Sequence, residues 1–168
     1  MSFKSKAVVL EKKHIKSNFT CGEASLDAYI KSYASQDLKR KMAGVFVLEE
    51  AESLQIKGYY TLSSSSIVAN DLPNEFVKKY PSYPSLPATL IGRLAVDTKF
   101  QGEGLGETLL LDALHKSYEV SQNIRSIAVV VDALNENAVS FYESYGFIKF
   151  SAYNKLFISM KTVQALFK

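Results

Sequence analysis

The sequence predicts a single α/β domain over residues 1–168, and three observations carry that expectation. β-rich runs and amphipathic stretches alternate along the chain. One of those runs, residues 89–96, passes through a glycine-rich loop directly into a helix-like stretch. Composition is that of a packed domain, since 47% hydrophobic and 22% charged residues exclude disordered, collagen-like and coiled-coil chains. A chain of 168 residues buries about 70% of its unfolded surface around one core. No fixed-period repeat, low-complexity tract or linker divides it.

Residues 6–10, KAVVL, suit a short first strand, followed by a basic loop through Lys16. Thr20-Cys21-Gly22-Glu23 has the T-x-x-E form of a capping box, and Leu26, Tyr29, Ile30, Tyr33 and Leu38 follow near helical spacing. A helix is therefore expected over about 23–40. The β-rich runs 44–48 and 57–62, separated by an acidic segment with Glu49, Glu50 and Glu52, read as a hairpin, and serines 63–66 extend its second strand. Residues 71–80 suit a short helix entered at Pro73, after which Pro81, Pro84 and Pro87 force an extended connection. Residues 89–96 form a strand, and beyond the glycine loop Leu105, Leu109, Ala113 and Leu114 mark an amphipathic helix. Residues 126–131 read as a buried strand, 135–145 as a helix closed by Gly146, and 155–160 as a last strand.

One cysteine, Cys21, leaves no disulfide framework and no multi-cysteine metal site. His14 and His115 lack a partner pattern, so no metal is expected and both are expected at the surface. No apolar run approaches the roughly 20 residues of a spanning helix, and the first residues hold too short a run for a signal peptide. The expected location is the cytoplasm, with no membrane partner. The net charge of +3 decides nothing by itself, but residues 1–41 carry nine basic and four acidic side chains against 11 and 13 in the remainder. The N-terminal quarter is the basic part. Lys39, Arg40 and Lys41 would end the expected helix and complement its dipole; the same run is a candidate phosphate contact.

Glycines in the 101–106 loop remove side chains that would hold an anion away from N–H groups at a helix start, which suits a pyrophosphate; a tight strand-to-helix turn is the alternative role for them. The loop lacks the G-K-[ST] ending of a Walker A motif and the G-x-G-x-x-G spacing of a dinucleotide site, so ATP and NAD are poor candidates. The segment NENAVSFYESYGF, residues 135–147, contributes Tyr142. A phenol with an ordinary pKa near 10 can hand a proton to a thiolate of comparable basicity while staying protonated at pH 7. Packing in a core is the alternative role for that tyrosine.

Gln101-Gly102-Glu103-Gly104-Leu105-Gly106 follows a strand and matches Q/R-x-x-G-x-G/A at every defined place, and Asn135 to Tyr142 gives the later N-x(6)-Y spacing. On these motifs, across residues 88–160, the chain resembles the GNAT superfamily of acyl-coenzyme A-dependent N-acetyltransferases. The resemblance implies a central twisted mixed β-sheet flanked by helices, with acetyl-CoA as donor. It also implies that main-chain groups of Leu94, Ala95 and Val96 pair with the pantetheine arm and that residues 101–106 hold the pyrophosphate. Asn135 and Tyr142 match positions near the pantetheine and sulfur. A narrower resemblance, carried by FTCGEASLDAYI, GYYTL, the proline loop, GRLAVD and QGEGLG, is to the acetyltransferase toxins of type II toxin–antitoxin modules. It implies acetylation of the α-amine of an aminoacyl-tRNA, a block of translation, a small DNA-binding antitoxin as partner, and, from the superfamily, a homodimer.

An α-amine has a pKa near 7.7–8.0, so a neutral fraction exists at physiological pH and no general base is assigned. The amine attacks the thioester, N–H groups of the 94–96 strand face the developing oxyanion, and Tyr142 protonates the departing thiolate. Cys21 competes as a nucleophile because a helix N-terminus lowers a thiol pKa, but a structural role is the favoured reading for it. Tyr145, three residues beyond Tyr142, stays open as the acid. Arg93 shares a strand face with Ala95 and is a candidate contact for the acceptor or a phosphate, or the partner of a carboxylate. Two rivals stand beside charged tRNA as acceptor: transfer to a small-molecule or protein amine, and a non-catalytic coenzyme A-binding module.

Overall fold

A computed structural model describes residues 3–80, 83–150 and 154–168. Seven strands form one mixed sheet in the order β1-β2-β3-β4-β5-β7-β6, with β1 Val8–Val9, β2 Gly44–Glu49, β3 Ile56–Val68, β4 Ser85–Val96, β5 Ala128–Asp132, β6 Ile148–Phe150 and β7 Lys155–Ser159. The helices are α1 Ala24–Ala28, α2 Ala34–Lys39, α3 Asn74–Val77, α4 Leu105–Ser121, α5 Glu136–Ser144 and α6 Met160–Leu166. Among the described residues no helix is long and apolar enough to cross a membrane. The chain divides into two compact units, Met1–Ser63 with Gly92–His115, and Ser64–Ile91 with Lys116–Lys168.

In the first unit the expected hairpin is present, with β2 and β3 antiparallel and Gly44 opposite Leu62. Its core gathers Phe19, Tyr29, Ile30, Ala34, Val45, Val47, Tyr59 and Ala95. Gly58 is required by close approach, because a Cβ there would stand 2.9 Å from both the Ala95 carbonyl oxygen and Leu109 Cδ1. β1 is shorter than the expected 6–10 strand because the amides of Lys6 and Ala7 turn to a carboxylate instead of a neighbouring strand. That carboxylate is Asp112 of α4, 1% exposed, whose Oδ1 accepts from Ser5 Oγ at 2.8 Å and from the Lys6 N–H at 2.8 Å. Its Oδ2 accepts from the Tyr60 hydroxyl of β3. One side chain thus fixes the N-terminal segment, β3 and α4 together.

The helix expected over 23–40 is interrupted by a π turn, Tyr29–Tyr33, where the Ala34 N–H donates to the Tyr29 carbonyl five residues back. The extra residue moves the apolar face along by one. Tyr33, read as part of the buried face, is 58% exposed, and Ala34 is buried in its place. The capping box does not form. Glu23 is the N-cap without a side-chain cap bond, Gly22 turns the chain at φ +98°, and the Thr20 N–H goes to Asp97. Asp27 instead reaches back to the Cys21 N–H at 2.8 Å. The histidine expectation also needs correction. His14 is 5% exposed, its Nδ1 accepting from the Glu11 N–H and its Nε2 lying 2.6 Å from Glu49 Oε2. Pairing of Ile15 with Gln55 folds the loop inward and carries His14 with it. His115 is half-buried, its ring 4.6 Å from that of Phe3.

The second unit is built on β5, which pairs in parallel with the first part of β4, Thr89 to Ile91, and antiparallel with β7. Phe76, Phe150 and Phe157 pack with Leu86, Ala88, Ala128 and Val130 in its core. α3 starts after Pro73 as expected; Pro87 lies within β4, but Pro84 sits at a bend just ahead of it instead of on the expected extended connection, and Pro81 lies outside the described residues. β6 and α6 were not expected from the sequence. β6 is three residues long, and α6 begins where the Ser159 hydroxyl caps the Thr162 N–H, cutting the last strand one residue short of Met160.

The Asp112 arrangement yields a stability prediction. Asp112→Ala leaves the buried Ala7 N–H and Tyr60 hydroxyl, and the part-buried Ser5 and Lys6 donors, without their acceptor and is expected to cost about 3 kcal/mol in urea unfolding, whereas Tyr60→Phe, which removes one donor, costs about 1 kcal/mol. Equal, small losses from both would remove Asp112 as the tie.

Candidate active site

The first unit carries the strand end and loop that the motifs single out. β4 runs to Val96, but its ladder to β5 covers only Thr89–Ile91 among the described residues. The N–H of Asp97 donates to the Lys57 carbonyl of the β3 side at 2.8 Å, and the Ala95 carbonyl also faces β3 at Gly58. Successive residues of a strand direct their main-chain groups to opposite sides. The N–H groups of Leu94 and Val96 therefore point away from β3, along the stretch with no β5 register. Those are donors available to an extended amide-containing arm.

Asp97 closes the strand. It is 1% exposed; Oδ1 accepts from the Lys99 N–H at 2.9 Å and Oδ2 from the Thr20 N–H at 3.1 Å, while the Thr98 N–H donates to the Thr20 carbonyl. Gln101 adds a strut, its Nε2 donating to the Val96 carbonyl at 2.9 Å and the Cys21 carbonyl at 3.2 Å. The side chain of Gln101 thus braces the loop against main chain on both sides. Gly102 and Gly104 have φ of +85° and +78°, conformations that L side chains avoid, and a Cβ on either would meet nothing within 4 Å. Glu103 is exposed, Leu105 and Gly106 half-buried, and α4 starts immediately with the Thr108 N–H donating to the Gly104 carbonyl. An open loop ahead of a 17-residue helix offers N–H groups and the positive end of the helix dipole to an anion. This strand end and loop fit the pantetheine and pyrophosphate of acetyl-CoA.

Cys21 does not suit nucleophilic work. Burial, followed by its hydrogen bonding to Asp27, pushes the thiol up to about 11, so it is protonated at neutral pH. Arg93 is half-buried with its Cζ 3.6 Å from the centroid of the Tyr29 ring. Among the described residues it forms no ion pair, which removes the carboxylate partner from its expected roles. Lys39, Arg40 and Lys41 are all exposed. They lie where α2 ends, with Arg40 at the C-cap and Lys41 at φ +62°, so the dipole-complementing role and an outward-facing cationic run coexist.

The second unit carries α5. Asn135 is its N-cap, the side-chain oxygen accepting from the Ala138 N–H at 2.9 Å. Tyr142, 7% exposed, packs its ring edge-on to Phe141 at 5.2 Å and against Phe147 at 5.3 Å. Its hydroxyl makes no hydrogen bond among the described residues, and no fully buried side-chain oxygen there lacks a partner, so this oxygen still reaches solvent. Burial of the ring raises its pKa well above the phenol value. The result is a fixed, protonated hydroxyl with an open valence. Tyr145, at the C-cap, is half-buried against Phe141.

Sequence reasoning missed Asp97 and Asp112. Asp97 had a visible signal, an Asp that ends an apolar strand two residues before Lys99, as in an Asx turn. Asp112 had a weaker one, a lone acid among the apolar residues of the second helix, between Leu109 and Ala113.

A model of the acetyltransferase (GNAT) domain matches residues 86–155. The chain is 34% identical to a tRNA-acetylating toxin of Mycobacterium tuberculosis over 130 residues, 77% of this chain and 76% of that protein. It is 28% identical to a probable toxin TacT of Sinorhizobium fredii over 162 residues, 92% of this chain and 90% of the relative. Among solved structures, AtaT complexed with acetyl-methionyl-tRNAfMet superimposes with a TM-score of 0.89 and 31% identity over 96% of this chain and 98% of that one. A tyrosine-to-phenylalanine mutant of AtaT bound to the C-terminus of its antitoxin AtaR and acetyl-CoA gives 0.81 and 28% over 96% of each chain. The chain belongs to the GNAT acetyltransferases and is an acetyl-CoA-dependent N-acetyltransferase.

Proposed function

We propose that this enzyme acetylates the α-amine of an aminoacyl-tRNA and so removes charged tRNA from translation. The observation that carries the reading is similarity along nearly the whole chain, beyond the cofactor motifs, to AtaT complexed with acetyl-methionyl-tRNAfMet. A cytoplasmic location follows from that acceptor. AtaT bound to the C-terminus of its antitoxin AtaR, and the AtaT–AtaR complex bound to DNA, support a DNA-binding antitoxin as partner; a homodimer is carried over from the superfamily resemblance alone.

Acetyl-CoA supplies the thioester acyl group. In this proposal the outward N–H groups of Leu94 and Val96, with Ala95 keeping the strand in register, orient the pantetheine arm and the acyl oxygen. Residues 101–106 bind the pyrophosphate through main-chain N–H, and Asn135 fixes the start of α5. Tyr142 holds a proton on its hydroxyl and gives it to the departing sulfur. The cations of Lys39, Arg40 and Lys41 meet tRNA phosphates.

The direct test incubates the enzyme with labelled acetyl-CoA and a charged total tRNA pool and identifies acetylated aminoacyl products by mass. Label on an aminoacyl amine is expected; label only on added polyamine or peptide amines would transfer the reading to the small-molecule or protein rival. Tyr142→Phe is expected to lower kcat about 10²-fold or more with the acetyl-CoA Kd little changed. The pH profile has a definite sign. Rate rises with pH as the acceptor amine loses its proton near about pH 8, and because burial raises the Tyr142 pKa, no falling limb belongs below about pH 10. A falling limb near pH 8–9, corrected for ester hydrolysis, would assign the proton to another group. Reversing Lys39, Arg40 and Lys41 to Glu is expected to raise KM for charged tRNA and flatten its salt dependence, leaving acetyl-CoA affinity intact.

A further inference from the structure

The helical segment 24–39 contains a π turn at Tyr29–Tyr33, and the residue that opens it forms the platform under Arg93. A single π turn inside an α-helix is rare and is found most often at functional sites. Here it coincides with burial of Tyr29 and Ile30 on the face that meets β4 in the unit's core. The Tyr29 hydroxyl donates to Asp37 Oδ2 at 2.8 Å, and the ring stacks on Tyr59, 6.2 Å between centroids at 15°. Tyr29 is therefore fixed from two sides, and Arg93 rests on a rigid surface.

Among the described residues, Arg93 is a half-buried cation without a counter-charge. Asp27, Asp37 and Asp97, the carboxylates bonded into the same unit, accept from the Cys21 N–H, the Tyr29 hydroxyl and the Thr20 N–H, and none forms an ion pair with Arg93. At 3.6 Å from the ring centroid the guanidinium uses its flat face on Tyr29, which leaves its in-plane N–H donors for an acceptor. A planar fork of N–H groups matches the two free oxygens of a phosphodiester. Strand direction says which phosphate. Going from the 101–106 loop back through Val96 to Leu94 leads from the pyrophosphate end of the donor toward its acyl end, and Arg93 is the next residue upstream. Cofactor phosphates lie in the opposite direction, so an anion at Arg93 comes with the acceptor.

We infer that Arg93, held on Tyr29 by the π turn, binds the phosphodiester nearest the aminoacylated 3′ end of the acceptor tRNA. The inference rests on the aminoacyl-tRNA reading. It gives Arg93 the role of reading the nucleic-acid part of the acceptor, and gives Tyr29 a positioning role. An acceptor that carries the same amine but no phosphate does not engage it.

The experiment compares wild type, Arg93→Met, Arg93→Lys, Tyr29→Phe and Tyr29→Leu on two acceptors, charged tRNA and the 3′-aminoacyl-adenosine of the amino acid identified on that tRNA. Binding of the same tRNA is titrated against salt, and melting temperatures confirm that each variant is folded. Arg93→Met is expected to lose about tenfold or more in kcat/KM on charged tRNA beyond its loss on aminoacyl-adenosine, mainly through KM, with Arg93→Lys intermediate. The slope of log affinity against log salt should fall by about 0.7, the value for one single-strand phosphate. Tyr29→Phe keeps the ring and the wild-type slope; Tyr29→Leu shifts toward Arg93→Met. Equal losses on both acceptors, or an unchanged slope in Arg93→Met, overturn the inference. If wild type acetylates no aminoacyl-tRNA, the acceptor reading itself fails, a result distinguished by its appearance without any substitution.

Discussion

Everything proposed for the site depends on β4 outrunning its ladder to β5. Pairing stops at Ile91, yet the strand continues to Val96 because its other side stays bonded toward β3, down to the Asp97 N–H on the Lys57 carbonyl. Five residues therefore keep extended geometry with no β5 register among the described residues, the Gln101 side chain serving the Val96 carbonyl. A buried polar group without a partner is costly, so such a strand end is stable only where solvent or a ligand supplies the missing bonds. Gly58 makes the arrangement possible, since any larger residue would push on the Ala95 carbonyl and on α4 at once.

Two buried carboxylates hold the frame around that strand. Asp97 ties the end of β4 to the 19–21 loop, and Asp112 ties α4 to the N-terminal segment and β3. Each exchanges the hydration of one charge for several donors, the circumstance under which burying a carboxylate is tolerable. Between them lies the glycine loop, with two residues at positive φ and a glutamine strut to the Val96 and Cys21 carbonyls. The loop is thus open on its outer side and fixed at its base. Preorganised N–H groups are worth most in such a setting, because little reorganisation is needed when charge arrives.

Much of this was legible in the sequence, and the failures have physical causes. The strands with strong β-rich runs, the hairpin, the glycine loop and the α4 and α5 helices were read from periodicity and turn chemistry, which are local properties. The family followed from Gln101 to Gly106 together with Asn135 and Tyr142. The π turn was not readable, since a single inserted residue leaves the apolar spacing looking helical and only the exchange of Tyr33 for Ala34 betrays it. The capping box failed because Asp97, 77 residues away in sequence, captures the Thr20 amide. His14 was misplaced for the same kind of reason, a pairing of Ile15 with Gln55 that no local pattern encodes. Among the candidate residues, the sequence named Arg93 and Tyr142, but the stacked guanidinium and the solvent-reaching hydroxyl are products of tertiary packing, each within its own unit.

Amide hydrogen exchange, resolved by residue and measured with and without acetyl-CoA, tests the central claim about the strand end. The account predicts that the Leu94 and Val96 amides and those of residues 104–106 exchange freely in the unliganded protein and become protected when acetyl-CoA is added. Ala95, directed at β3, should be protected throughout. Protection of Leu94 and Val96 already complete without ligand, or a ligand response confined to other segments, would contradict it.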